Sequence, residues 1–134
     1  MSADQATTID IAFTDNGLPG WLAQSSDADL DPLDFGTIGI DAAGNVCRYN
    51  RFESAAAGLS PQRVLGRPLF TVVAPCMNNF LVAQRFEDAL ASGGSLDATI
   101  DYVLTLRMRP IKVKLRLLSI PGASIRWVLV HRPV

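Results

Sequence analysis

The stretch Ile111–Leu117, "IKVKLRL", decides the fold. Ile111, Val113, Leu115 and Leu117 alternate with Lys112, Lys114 and Arg116. Successive side chains of a strand point to opposite faces, so this spacing predicts a β-strand with one apolar and one cationic face. The turn "PGAS" at 121–124 follows, and "IRWVLVH" at 125–131 predicts a final strand. On the other side, Leu96–Arg107 alternates less cleanly but is rich in β-formers. The three runs predict an antiparallel meander. The cationic face of 111–117 must then lie away from any helical core.

Further back, "SGG" at 92–94 closes a predicted helix over 78–92, with an apolar stripe at Val82, Phe86, Ala89 and Leu90. "LSPQRVLGRP" at 59–68 predicts one more helical turn, with Ser60 as cap, Pro61 at its first position and Gly66 at its end. "NRFESAAAG" at 50–58 predicts a short helix between an Asn50 cap and a Gly58 stop. "FGTIGID", "AAGN" and "VCRYN", together 35–50, read as strand, turn and strand. Two strands, several helices and three strands make an α+β pattern, a sheet with helices segregated to one face. Residues 1–34 are turn-rich ("TDNGLPGW", "SSDADLDP") and are anchored by Phe13, Trp21, Leu22, Leu30 and Leu33. They predict a loosely helical N-terminal cap over 1–34, docked through a few side chains onto a core over 35–134.

The 134 residues suit one compact domain, with 49% apolar and 19% charged residues. Two cysteines, Cys47 and Cys76, are too few for a disulfide scaffold and the wrong pattern for zinc. The start "MSADQATTID" has no basic, then apolar, leader pattern, and no apolar run approaches the ~20 residues of a membrane span. The cytoplasm is the expected compartment. A net charge of −1 argues for neither nucleic acid nor membrane as partner. The charges are segregated, however. No Lys or Arg precedes Arg48, and no Asp or Glu follows Asp101. Either the acidic head lies against the basic tail, or each end is merely solvated.

Cys76, in "VVAPCMNNF", falls after Pro75 and at the start of the predicted helix. Unpaired N–H groups and the helix dipole would favour a thiolate there. The alternative is a small, inert, buried thiol. The sole histidine, His131, sits on the last predicted strand, so a cysteine hydrolase lacks its usual base. Tyr49 and Glu53 lie about one helical turn apart and can converge. A phenol and a buried, protonated carboxyl would together hold an oxyanion. The alternative is a half-exposed Tyr and a solvated Glu.

Together these pieces resemble the photoactive yellow proteins, a branch of the PAS domains. The residues that carry the likeness are "FGTIGIDAAGNVCRYN", Glu53, "SPQRVLGR", "VVAPC", "ASG", "MRPIKVK" and "WVLV", from Phe35 to Val130. The resemblance implies a PAS fold, with a central antiparallel sheet of about five strands, helices on one face and the cap on the other. It implies a blue-light photoreceptor and not an enzyme. Cys76 would carry p-coumaric acid as a thioester, and its N–H would hold the thioester carbonyl. Tyr49 and a protonated Glu53 would donate to the phenolate oxygen. Light would isomerise the dye from trans to cis, a proton would pass from Glu53, and the cap would loosen. Met108 matches a family methionine that assists recovery.

Some positions depart from the family pattern. Ala57 stands where the family has Thr, and Leu59 where it has the Arg that covers the ring. Leu69, Leu104 and Leu106 replace residues that are often aromatic. The resemblance thus implies a more apolar pocket mouth, a Tyr49 held by fewer partners, and a downstream signalling protein of unknown identity. A monomer or weak dimer is expected. The competing reading is a PAS interaction or sensor module with an empty or different ligand pocket and an unmodified Cys76.

Overall fold

The computed structural model describes residues 11–105 and 109–132. Its strands are β1 (Gly36–Ile40), β2 (Val46–Tyr49), β3 (Leu96–Leu104), β4 (Ile111–Ser119) and β5 (Arg126–His131). They form one antiparallel sheet in the order β2-β1-β5-β4-β3. The β1–β2 hairpin turns at Gly44, whose φ of 86° suits a residue without a Cβ. The meander β3-β4-β5 is as expected, and β5 inserts beside β1, with Ile38 opposite Val128.

The helices are α1 (Leu18–Ala23), α2 (Asp27–Leu30), α3 (Arg51–Ala57), α4 (Pro61–Val64) and α5 (Ala83–Ser92). Asn50 caps α3 and Gly58 ends it in the left-handed region. Pro61 opens α4, and Gly93 closes α5. A π-helical turn, Leu69–Val73, and a 3₁₀ turn, Pro75–Met77, fill the gap before α5. The helix expected over 78–92 therefore begins only at Ala83. Asn79 accounts for the late start, because its Oδ1 accepts from the N–H groups of Leu81 and Val82 at 3.0 and 3.2 Å. Within α5, Phe86 and Ala89 are buried, while Leu90 is 54% exposed and leaves the expected stripe.

Both faces of the sheet carry a core. Val113, Leu115, Leu117, Val128 and Val130 join Ile38, Leu69 and Phe86 on the helical side. Leu118, Trp127 and Leu129 meet Phe13, Leu18, Leu22 and Leu30 on the other. The alternation of β5 serves both, so the N-terminal helices dock through a true apolar core and not a few anchors.

The charge expectation needs correction. Arg116, on the cationic face of β4, is buried under the N-terminal segment, but it donates to the carbonyls of Phe13 and Asp15 at 3.0 and 2.8 Å. Its carboxylate partner is Asp97 of β3, and that of Lys114 is Asp101. Asp101 faces Lys114 directly across the ladder, and Asp97 lies diagonally from Arg116, two residues from Thr99 opposite it, so both acids are within cross-strand reach. The N-terminal acids reach sideways instead. Asp27 meets Arg48 at 2.7 Å, and Asp31 accepts from the Arg51 N–H at 2.9 Å.

Candidate functional site

The site starts with Asn50, 1% exposed at the head of α3. Its Oδ1 accepts from the N–H groups of Glu53 and Thr37, at 3.1 and 3.0 Å. Its Nδ2 donates to the carbonyls of Leu30 and Phe35, at 2.9 and 3.1 Å. One side chain thus joins the N-terminal segment, β1 and α3, and it fixes the turn that carries Glu53.

Glu53 points at the backbone of β1. A Cβ at Gly36 would lie 1.9 Å from Glu53 Oε1, so only glycine leaves room for the carboxyl. The Glu53 side chain is 2% exposed. Arg132 grips it in a fork, Nη1 on Oε1 at 2.6 Å and Nη2 on Oε2 at 3.1 Å. Burial pushes the Glu53 carboxyl above its ordinary range, and the guanidinium works against that push. Arg132 Nε is itself buried and has no partner among the described residues.

Tyr49 ends β2, also buried. Burial first, and the Glu53 charge second, push its phenol well above the usual tyrosine range. Tyr49 therefore keeps its proton, and the Glu53 charge is among the causes. Among the described residues its hydroxyl makes no hydrogen bond, so this donor is unspent.

Cys76 is a free, half-buried thiol in the 3₁₀ turn. It is not at a helix N-terminus, since α5 starts at Ala83. The expected helix end at Cys76 is replaced by this turn. Two side chains fix the turn instead. The Tyr102 hydroxyl donates to the Cys76 carbonyl. Asn79 Nδ2 donates to the Tyr102 oxygen at 2.6 Å and to the same carbonyl at 3.3 Å.

Cys76 and Leu59 pack on the same apolar cluster that contains Tyr49, Leu69 and Leu104. Ala57 is buried one turn after Glu53 on α3. Met108 and Leu106 lie outside the described residues. A cleft lined by Leu81, Tyr102, Val103, Val113 and His131 opens on the Tyr102 side.

Arg132, Tyr102, Asn79 and the steric role of Gly36 were not foreseen. One signal was available for Arg132. Extending the alternation of β5 by a residue puts it in phase with Val128 and Val130, on the helical side. Tyr102 and Asn79 are brought to Cys76 by tertiary contacts that leave no spacing in the sequence.

No family model matches the chain. Curated relatives do. A photoactive yellow protein of Rhodothalassium salexigens is 34% identical over 122 residues, covering 91% of this chain and 97% of the relative. The chain belongs to the photoactive yellow protein family. The photoactive yellow protein of Rhodobacter capsulatus is 30% identical over 125 residues, with 91% and 97% covered. Among solved structures, the photoactive yellow protein domain of the sensor histidine kinase Ppr from Rhodospirillum centenum superposes with a TM-score of 0.76 at 38% identity, over 84% of this chain and 98% of that one. The RpfR quorum-sensing receptor PAS domain of Cronobacter turicensis, at 17% identity and a TM-score of 0.59, shares the fold. As a member of that family, the chain is a PAS-type photoreceptor and not an enzyme, and the family implies a chromophore. Among the described residues, no helix is long and apolar enough to cross a membrane.

Proposed function

We propose that the chain is a blue-light receptor that carries p-coumaric acid as a thioester on Cys76. The observation that carries this reading is a free thiol, Cys76, packed against the apolar cluster that holds the buried phenol Tyr49, four residues before the buried carboxyl Glu53. The buried, unpartnered Arg132 Nε gives this site a hydrogen bond to offer. Such a donor set fits an aromatic anion, because burial in an apolar wall strengthens each bond to a charge.

Attachment is an acyl transfer. Cys76 Sγ forms a bond to the carbonyl carbon of an activated p-coumaroyl donor, whose leaving group departs with the thiol proton. When bound, the group supplies visible absorption and a trans–cis isomerisation that moves its ring oxygen. The chain's own residues do the rest. Tyr102 and Asn79 hold the Cys76 turn still while the other end of the site changes. Leu59, Leu69 and Leu104 keep water from the acid pair. Tyr49 keeps its proton throughout. Glu53 holds a proton when a second negative charge lies beside it, since like charges raise its proton affinity further. It yields that proton when its donor bond is broken, and the N-terminal segment then loosens. A cytoplasmic location, a downstream signalling partner and a monomeric or weakly dimeric state belong to the same proposal.

One observation favours the second reading, a PAS interaction module without covalent dye. Arg132 already satisfies Glu53 in the chain alone. Reconstitution decides between them. Purified chain offered activated p-coumaric acid should gain one acyl mass and a visible band, and Cys76→Ala should gain neither. No adduct on the parent, or the same adduct on Cys76→Ala, would overturn the proposal.

A further inference from the structure

The far end of the sheet holds another buried arginine. Arg126 opens β5 opposite Ile40, at the other end of β1 from Gly36 and roughly 13 Å along that strand. It is 7% exposed. Its Nη2 donates to the Asp41 carbonyl at 2.6 Å, and its Cζ lies 5.7 Å from the centre of the Phe86 ring. Among the described residues the guanidinium makes no other hydrogen bond and no ion pair. The Asp41 carboxylate is turned to the hairpin, where Oδ1 accepts from the N–H groups of Ala43 and Asn45 at 2.9 and 3.0 Å. Burial pulls the Arg126 guanidinium below its usual range, and the Asp41 charge only partly opposes this. A buried charge without a hydrogen-bonded counterion is costly, so this one has an unmet demand for an anion.

Arg126 lines a cleft of about 430 Å³ together with Gly44, Pro68, Phe70, Phe86 and Leu90. One wall is pinned by backbone bonds. The Leu69 N–H donates to the Gly44 carbonyl at 3.0 Å, and Asn45 bridges to Pro68. The rings of Phe70 and Phe86 stand 6.1 Å apart, tilted by 36°. We propose that this cleft binds a small planar aromatic carboxylate, with the carboxylate on the free edge of Arg126 and the ring against Phe70 and Phe86. A guanidinium edge meets a carboxylate in two parallel hydrogen bonds. Tilted aromatic rings favour a third ring beside them, whereas the apolar walls offer a hydrated inorganic ion nothing. Glu87 stands exposed at the rim, without an ion pair among the described residues. It repels an anion, and water keeps that repulsion small. The cleft lies apart from Glu53 and Arg132, and the proposal does not rest on the dye-binding reading.

The test titrates the full chain, without dye, with sodium benzoate at constant ionic strength and follows backbone amide NMR shifts. The shifts should cluster at 42–44, 68–71 and 83–90, with a Kd on the order of 1 mM, ordinary for so small a ligand. Benzyl alcohol has the ring without the charge, and chloride the charge without the ring. Each should bind about tenfold more weakly, or less. Arg126→Gln should weaken benzoate binding about tenfold. Arg126→Lys keeps the charge without the fork and should fall between. Glu87→Gln, at the exposed rim, should tighten binding about twofold to threefold, and it decides the matter if Arg126→Gln fails to fold. Arg132→Gln should leave the affinity unchanged. No saturable shift in those segments, undiminished binding by Arg126→Gln, or an affinity unmoved in Glu87→Gln overturns the proposal. Chloride that binds as tightly as benzoate overturns the aromatic ligand. Binding lost in Arg132→Gln and kept in Arg126→Gln assigns benzoate to the Glu53 end of the sheet and overturns the site.

Discussion

Gly36 governs the site by what it lacks. A methyl group there would meet Glu53 Oε1 at 1.9 Å, Cδ at 3.0 Å and Cβ at 3.3 Å, so the carboxyl has no short sidestep. Gly36→Ala should displace Glu53 from Arg132 and cost about 1–3 kcal/mol, the usual range for overpacking. Urea midpoints measure this, and the Glu53→Ala background provides the control. There the same substitution should cost markedly less, and equal costs in both backgrounds would refute a Gly36–Glu53 clash. At this scale the sequence was half legible. Tyr49 and Glu53 stood out because they lie four residues apart, but Tyr49 ends β2 and only Glu53 lies on α3. Arg132 was hidden because its partner lies far away along the chain.

The elements show the same division. The β1–β2 hairpin, α3 and α4 were legible from caps, Pro and Gly, since those signals act within a few residues. The start of α5 was not, because Asn79 captures backbone donors that a helix would have used. That shift moves Cys76 from a helix end into a 3₁₀ turn held by Tyr102. Asn50 read as a plain cap, yet it also bonds β1 and the carbonyl of Leu30. Asn50→Ala should therefore cost more than the ~1 kcal/mol of an ordinary cap. Adding ~1–3 kcal/mol for buried groups left unpaired gives a total of about 3 kcal/mol. Chemical denaturation checks it, and a loss near 1 kcal/mol would reduce Asn50 to a cap.

For the whole molecule, the α+β order and the two-faced sheet followed from alternation, but the charge pairing did not. Cross-strand register gives Arg116 and Lys114 their acids before the N-terminal segment can. The buried acid adds a pH dependence to global stability. Burial raises Glu53 above its unfolded value, so its contribution is fully present below the ordinary carboxylate range, about 4.3. That contribution is lost as pH rises through the raised folded value. Glu53→Gln should flatten this fall in urea-unfolding free energy, and Arg132→Gln should carry it to higher pH. Identical slopes in all three proteins would exclude Glu53 as the source. The sheet order also bears on how the chain assembles. Its central strand, β5, comes after the other four in sequence, and β1 waits for it across most of the described chain. On the ribosome, the first hairpin and the β3–β4 pair emerge with no seam between them. Closure of the sheet is thus a late, non-local event, and such high contact order favours slow folding.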